Sequence, residues 1–231
     1  MLFRKIKALV GSRQEKNTME FSVTNFDSVA REVFAPIYPV IAEEIKNQTK
    51  ILAGSCIDLG CGGGYLGLSL AQITNLKMYL FDILPGMQTI ADKNIKEYLL
   101  EDKVTTVLGD VHEMPFKDNS INLIISRGSI FFWEDQAKAI REIYRVLAPG
   151  GKTFIGGGFG SLELKTNIIK KMRQRDPSWN REMKERIDNG SEKHFCSVLE
   201  KAGVTEFKIK NGDSGIWIMI EKLQQFNVIE H

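Results

Sequence analysis

A chain of 231 residues with 43% hydrophobic content is long enough to bury one full α/β core. Its formal charge of +2 supplies no global attraction to nucleic acid or acidic membranes, and no apolar run approaches the roughly 20 residues of a membrane span. Three cysteines (Cys56, Cys61 and Cys196) show no metal-ligand spacing, so no metal site is expected, and their odd number fits a reducing compartment.

Residues 1–18 form a basic arm, with Arg4, Lys5, Lys7, Arg13 and Lys16 against Glu15 alone, and read as a solvated terminus. Only Ala8-Leu9-Val10 separates its basic start from Gly11-Ser12, too short for a signal-peptide core, so a cytoplasmic location is expected. Over residues 20–50, Phe21, Phe26, Val29, Val33, Phe34, Ile37, Tyr38, Ile41 and Ile45 recur at helical spacing, with a break near Pro36 and Pro39 and a cap at Asp27 or Ser28. This stretch is expected to be a helical lid ahead of the first strand. Val29 and Val33 read as core; Phe26, Phe34 and Tyr38 suit either the core or a cleft.

A regular alternation follows over 51–160. Strands are expected at 55–59, 78–81, 104–108, 121–126 and 152–156, with helices at 64–73, 86–100 and 134–147 and a turn at Ala148-Pro149-Gly150-Gly151. Such alternation implies βαβ units, a parallel sheet covered on both faces, and ligand crevices at the carboxyl ends of the strands. A helical insertion occupies 161–190; its stretch 165–186 carries eight Lys or Arg against three acids, and a solvated face is the simplest reading. Residues 191–222 hold a last helix ending at Gly203 and a hairpin turning at Asn211-Gly212-Asp213-Ser214, so the last strand is expected to run antiparallel. No linker divides the chain, and one domain is expected.

The informative stretch is Ile57-Asp58-Leu59-Gly60-Cys61-Gly62-Gly63-Gly64-Tyr65. Its glycines permit positive φ and close approach, and the helix behind them would aim free N–H groups at a ligand. A dinucleotide turn would place its third glycine at Tyr65, and Asp58 would repel a diphosphate. A carboxylate there suits a ligand with an ammonium or sulfonium. Asp82, 18 residues beyond Gly64 at the end of the second strand, can accept both hydroxyls of a ribose, with Ile83 against a base. Gly109-Asp110-Val111 ends the third strand, where the carboxylate can accept from an exocyclic amine and the Val111 N–H can meet a ring nitrogen. His112 reads as a surface histidine.

These residues, with Met114-Pro115-Phe116, Asp118–Ile124 and Arg145–Gly151, occur in the order seen in class I S-adenosylmethionine-dependent methyltransferases, and over about 55–156 the chain resembles that family, in particular its members acting on small molecules. The resemblance implies a Rossmann-like doubly wound sheet of seven strands in the order 3-2-1-4-5-7-6, mostly parallel with the last strand antiparallel. It implies S-adenosylmethionine as cofactor and S-adenosylhomocysteine as product. By position it assigns Asp58, Gly60, Cys61, Gly62 and Gly64 to the methionine part, Asp82 and Ile83 to the nucleoside, Gly109, Asp110 and Val111 to the adenine, and Ser126, Arg127 and Gly128 to the wall beside the sulfonium. Ser126-Arg127-Gly128 through Asp135, with Gly156–Gly160, resembles a narrower, uncharacterised microbial group. Arg127 is a departure, suited to a cofactor carboxylate, an anionic acceptor, or outward stacking.

An activated methyl needs alignment and dryness more than a base. His194, Tyr38 and Tyr65 are the candidate bases, none strongly indicated; Phe34, Tyr38, Phe131 and Trp133 are candidates for an acceptor pocket. No Pro-Pro pair and no Pro-Cys pair occur, which argues against amino-group and cytosine-C5 methylation of nucleic acid, and a small-molecule acceptor is expected. The competing readings are a nicotinamide-dependent oxidoreductase and a non-catalytic cofactor-binding protein on the same fold. Neither the acceptor nor the oligomeric state is legible.

Overall fold

The computed structural model describes residues 23–177, 179 and 190–223. The basic arm expected at 1–18 and Phe21 lie outside them, as does most of the second half of the 161–190 insertion. Residues 23–29 are α-helical, and Ala30–Phe34 widen into a π turn. The chain breaks at Ala35-Pro36 and resumes as α1 (Ile37–Thr49). Only one of the two prolines interrupts it. Pro39 falls in the first turn of α1, where its missing N–H is one the helix leaves unpaired anyway. Asp27 and Ser28, expected as caps, lie inside the helix instead, with their side chains bound to Tyr65 and Glu32.

The alternation then runs β1 (Ala53–Leu59), α2 (Tyr65–Gln72), β2 (Asn75–Asp82), α3 (Pro85–Glu97), β3 (Val104–Leu108), β4 (Ile121–Arg127), α4 (Gln136–Val146) and β5 (Leu147–Gly158). Helices α5 (Leu162–Arg175) and α6 (Glu192–Ala202) precede the hairpin of β6 (Phe207–Gly212) and β7 (Gly215–Ile220). Ser161 and Ser191 cap α5 and α6 by accepting from the Leu164 and His194 N–H groups, and Gly203 ends α6 in the left-handed conformation.

The seven strands lie in the order β3-β2-β1-β4-β5-β7-β6, the Rossmann-like order expected. β7 is antiparallel to β5 and β6, and the other pairings are parallel. The turn expected at Ala148–Gly151 sits inside a longer strand. Ile121 pairs with Leu147 but Leu123 pairs with Lys152, so the intervening residues bulge out of the β4 register. The bulge is held by Gly150 N–H donating to Lys222 O and Lys222 N–H donating to Gly151 O.

Apolar side chains fill both faces of the sheet. One core joins Cys56, Met78, Leu80, Leu123, Ile125 and Phe154 to α1, α2, α3 and α5; the other joins Ile57, Leu59, Ile124 and Ile155 to α4 and α6. Strand alternation therefore turns Asp58 to the face of Cys56, beneath α2. Right-handed crossovers leave the carboxyl ends of β1 to β5 on one edge.

Candidate active site

The loop after β1 is laced to the end of β2. Phe81 O accepts from Gly60 N–H and Cys61 N–H at 2.8 and 3.1 Å, Asp82 Oδ2 accepts from Gly62 N–H at 2.9 Å, and Cys61 O accepts from Gly64 N–H at 2.9 Å. One turn into α2, Gly67 N–H donates to Asp58 Oδ2 at 2.9 Å. Five of these N–H groups, those of Gly60, Cys61, Gly62, Gly64 and Gly67, are thus bound to protein oxygens, two of them to carboxylates. Such a loop is a poor cradle for phosphate, whose binding needs those donors.

The glycines also serve neighbours that the sequence did not reveal. Gly60, Gly62 and Gly64 all have positive φ. A Cβ at Gly60 would strike Ser129, one at Gly64 would strike Leu80, and one at Gly67 would strike Leu80 as well and lie 3.1 Å from the Asp58 carboxylate. At Gly62 the nearest atom is Met87 Sδ at 4.0 Å, and at Gly128, also of positive φ, nothing lies within 4 Å. Open space for a ligand therefore borders Gly62 and Gly128.

Asp58 is 2% exposed, and burial pushes its carboxyl up to about 7. The Gly67 hydrogen bond opposes the rise, and the nearby Asp82 charge adds to it. Asp82 is raised too, again through burial, although N–H groups of Leu84, Gly62 and Ile83 pull it down. Two desolvated carboxylates at adjacent strand ends are suited to a cationic ligand, whose charge would favour their ionised form. Cys61 is a protonated thiol, pushed up by burial and by the same two acids, and it donates to Gly62 O.

Beyond Asp82, Ile83 and Leu108 expose apolar side chains at 42% and 45%. Leu108 was not singled out from sequence; its signal is an apolar residue exposed at a strand end. Gly109 N–H donates to Asp82 O, which ties this turn to β2. Asp110 follows, with Val111 buried behind it. His112, read as a surface residue, is instead half-buried, because both ring nitrogens are engaged. Nδ1 bonds the Asp110 carboxylate and Nε2 accepts from Asp135 N–H at 3.2 Å, so the proton sits on Nδ1 in the neutral ring. Asp135 in turn caps α4.

At the end of β4, Ser126 is fully buried, and its hydroxyl bonds Leu59 O and Ser129 Oγ at 2.8 and 2.6 Å. Ser126 therefore braces the glycine loop from behind, where the resemblance implied a wall beside the sulfonium. Arg127 turns inward, against the outward stacking considered from sequence. Its Nε donates to Gly158 O at 3.1 Å, and its guanidinium lies 4.5 Å from the Phe34 ring and 5.6 Å from the Phe159 ring. Phe34 is buried and stacks on Phe159, whereas Phe26 is exposed. Tyr38 stacks on Tyr65 at 5.5 Å, and burial pushes its phenol up to about 12. Phe131 packs between Gly157 and Phe195, and Trp133 is half-buried beside the same core.

The three candidate bases are each committed elsewhere. Tyr38 holds its proton too tightly. The Tyr65 hydroxyl donates to Asp27 and accepts from Arg31 Nε at 2.8 Å. His194 bonds Gln136 Oε1 at 2.6 Å, which docks α6 on α4. Among the described residues, no group of His, Cys, Asp and Glu is placed to hold a metal.

A family described as a methyltransferase domain matches residues 57–155. A solved structure of a candidate S-adenosyl-L-methionine-dependent methyltransferase from Methanococcus maripaludis is 44% identical, with a TM-score of 0.86 over 90% of this chain and 95% of that one. The chain belongs to the class I S-adenosylmethionine-dependent methyltransferases. More distant relatives differ in what they do. The human mitochondrial arginine-hydroxylase NDUFAF5 is 33% identical over 64% of this methyltransferase-family chain and 40% of its own length. The chloroplastic 2-methyl-6-phytyl-1,4-hydroquinone methyltransferase of Arabidopsis thaliana is 35% identical over 44% of this chain and 29% of its own. The chain thus spans less than half the length of these curated relatives.

Proposed function

We propose that this chain binds S-adenosylmethionine along the edge formed by Asp58, Gly62, Asp82, Asp110 and Gly128 and transfers its methyl to a small-molecule acceptor. The observation that carries the reading is the pair of buried carboxylates, Asp58 and Asp82, each accepting from one N–H of the loop or the helix behind it, with open space beside Gly62 and Gly128. That set of acceptors fits a cationic amino acid joined to a nucleoside. Asp58 and Gly62 face the amino-acid end, Asp82 the ribose hydroxyls, and Asp110 and Val111 the base, with Ile83 and Leu108 on its flat sides.

When bound, the sulfonium supplies an already activated methyl that in-line displacement can move. The protein's part is alignment and exclusion of water. The commitments of Tyr38, Tyr65 and His194 support a transfer that uses none of them as a base. Phe34, Tyr38, Phe131, Trp133 and Arg127 would then shape the acceptor side. The family match supports a small-molecule acceptor.

Titration calorimetry with S-adenosylmethionine, S-adenosylhomocysteine and NAD on the wild type and on Asp82→Ala tests the reading. Binding of the first two, lost in the variant and absent for NAD, is the expected result; binding of NAD alone refutes it. A panel of acceptors separates an enzyme from a binding protein, since tight cofactor binding with no transfer to any of them would favour the second.

A further inference from the structure

We propose that the helical segment 23–38 is latched to the glycine loop through Arg31 and Asn94, two positioning residues that couple closure of this lid to retention of the cofactor. The proposal rests on the cofactor reading above and adds the device that governs it.

The segment runs from the turn after β2 to the ends of β4 and β5. At its start, Val23 packs on Leu84 and Met87, beside the Asp82 turn. At its end, Phe34 covers Arg127 and Phe159 at the ends of β4 and β5. Between these points lie the ends of β2, β1 and β4, with Asp58, the glycine loop and Asp82, so the amino-acid and ribose parts of a ligand there sit beside the segment. The π turn at Ala30–Phe34 and the break at Ala35-Pro36 fall where such a lid would bend, and π turns concentrate at functional sites.

The middle of the segment is fastened to the loop by a continuous polar chain. Arg31 Nε donates to Tyr65 Oη at 2.8 Å, and Tyr65 donates to Asp27 one turn earlier on the lid. Arg31 Nη2 donates to Asn94 Oδ1 at 2.6 Å and reaches Glu97 at 3.2 Å. Asn94 is fully buried in α3, and its Nδ2 donates to Gly63 O at 2.8 Å. A buried asparagine inside a helix is a poor choice for propensity and for packing. Here one amide joins the lid's guanidinium to a carbonyl of the glycine loop, and lifting the lid leaves that amide half-satisfied.

Lid opening therefore loosens Gly63, and a ligand that orders the glycine loop in turn favours the closed lid. The coupling is reciprocal by linkage. The neighbouring side of the helix is held differently: Arg175 donates to Glu32 and Ser28 at 2.6 Å each, and these contacts lie on the surface, with none reaching a buried amide. Exposed pairs of that kind contribute little.

Stopped-flow release of S-adenosylhomocysteine, with hydrogen exchange over residues 23–38 with and without that ligand, tests the coupling. Arg31→Met should release the ligand about tenfold faster and lose the ligand-induced protection of the lid, while protection of β1 to β5 persists. Asn94→Leu should do the same where it folds, and Arg31→Lys should recover part of the effect. Arg175→Ala should change release less than about twofold. Equal release from wild type and Arg31→Met overturns the proposal, as does lid exchange unaffected by ligand, or release from Arg175→Ala as fast as from Arg31→Met. Failure of the wild type to bind S-adenosylhomocysteine would instead strike the cofactor reading.

Discussion

Asp58→Asn should stabilise the ligand-free protein while weakening cofactor binding. The buried carboxyl is displaced from its ordinary 3.8 to about 7, which corresponds to about 4 kcal/mol of unfavourable ionisation in the folded state. Because the folded-state value is the higher one, the folded protein holds the proton more tightly than the unfolded chain. The stability this confers is complete below about pH 4 and is lost as pH rises through 7. Asparagine keeps an oxygen for Gly67 N–H and carries no charge, so its advantage should be absent near pH 4 and grow to about 2–4 kcal/mol at pH 8. For a chain of this size that is a rise of roughly 5–15 °C in melting temperature. Thermal melts of both proteins at pH 8, 6 and 5, compared as differences at each pH, read the effect. A variant less stable than the wild type at pH 8, or a difference independent of pH, would refute the reasoning. Calorimetry completes the test. If the cationic end of the cofactor meets Asp58, binding to the wild type should release protons near pH 6 to 7, seen by comparing buffers of different ionisation heat, and Asp58→Asn should bind at least about tenfold more weakly.

Other perturbations report on separate parts of the molecule. Gly156→Ala places a Cβ 2.0 Å from Ile216 O in the β5–β7 ladder and should destabilise by about 2–4 kcal/mol, read as a lower urea midpoint. His112→Ala removes the donor that holds Asp110 and the acceptor for Asp135 N–H; cofactor affinity should fall about 3- to 10-fold with the melting temperature little changed, and unchanged affinity would remove His112 from the site. Tyr38→Phe should keep kcat within a fewfold once an acceptor is known, because a phenol held at about 12 stays protonated at neutral pH. A loss of about 100-fold or more, the size of a general base's contribution, would restore Tyr38 as a base.

The order of elements was legible because it depends on local signals. Apolar alternation, the glycine that ends α6 and the hairpin turn at Asn211–Ser214 are properties of neighbours in the chain, and the seven-stranded order followed from them together with the family motifs. The carboxylates at strand ends were legible for the same reason: a strand's end is a sequence position, and Asp58, Asp82 and Asp110 each occupy one. What each residue does at its position was decided by contacts between segments far apart in sequence. Ser126 turned out to brace Leu59, Arg127 to lie against Phe34 and Phe159, and His112 to bridge Asp110 to Asp135.

The glycines divide in the same way. Their conformational freedom could be read from sequence, but only the fold shows that Gly60, Gly64 and Gly67 make room for Ser129, Leu80 and Asp58, leaving Gly62 and Gly128 beside open space. Tyr65 carried no sequence signal for its partners, since Asp27 and Arg31 lie more than 30 residues away. By itself the sequence determined a doubly wound sheet with acids along one edge, because periodicity and chain order suffice for that. The tertiary structure alone decided the burial that raises Asp58, the oxygens that bind the loop N–H groups, and the Arg31–Asn94–Gly63 chain. Desolvation and hydrogen bonding depend on what surrounds a group in space, and the chain order does not encode those surroundings locally.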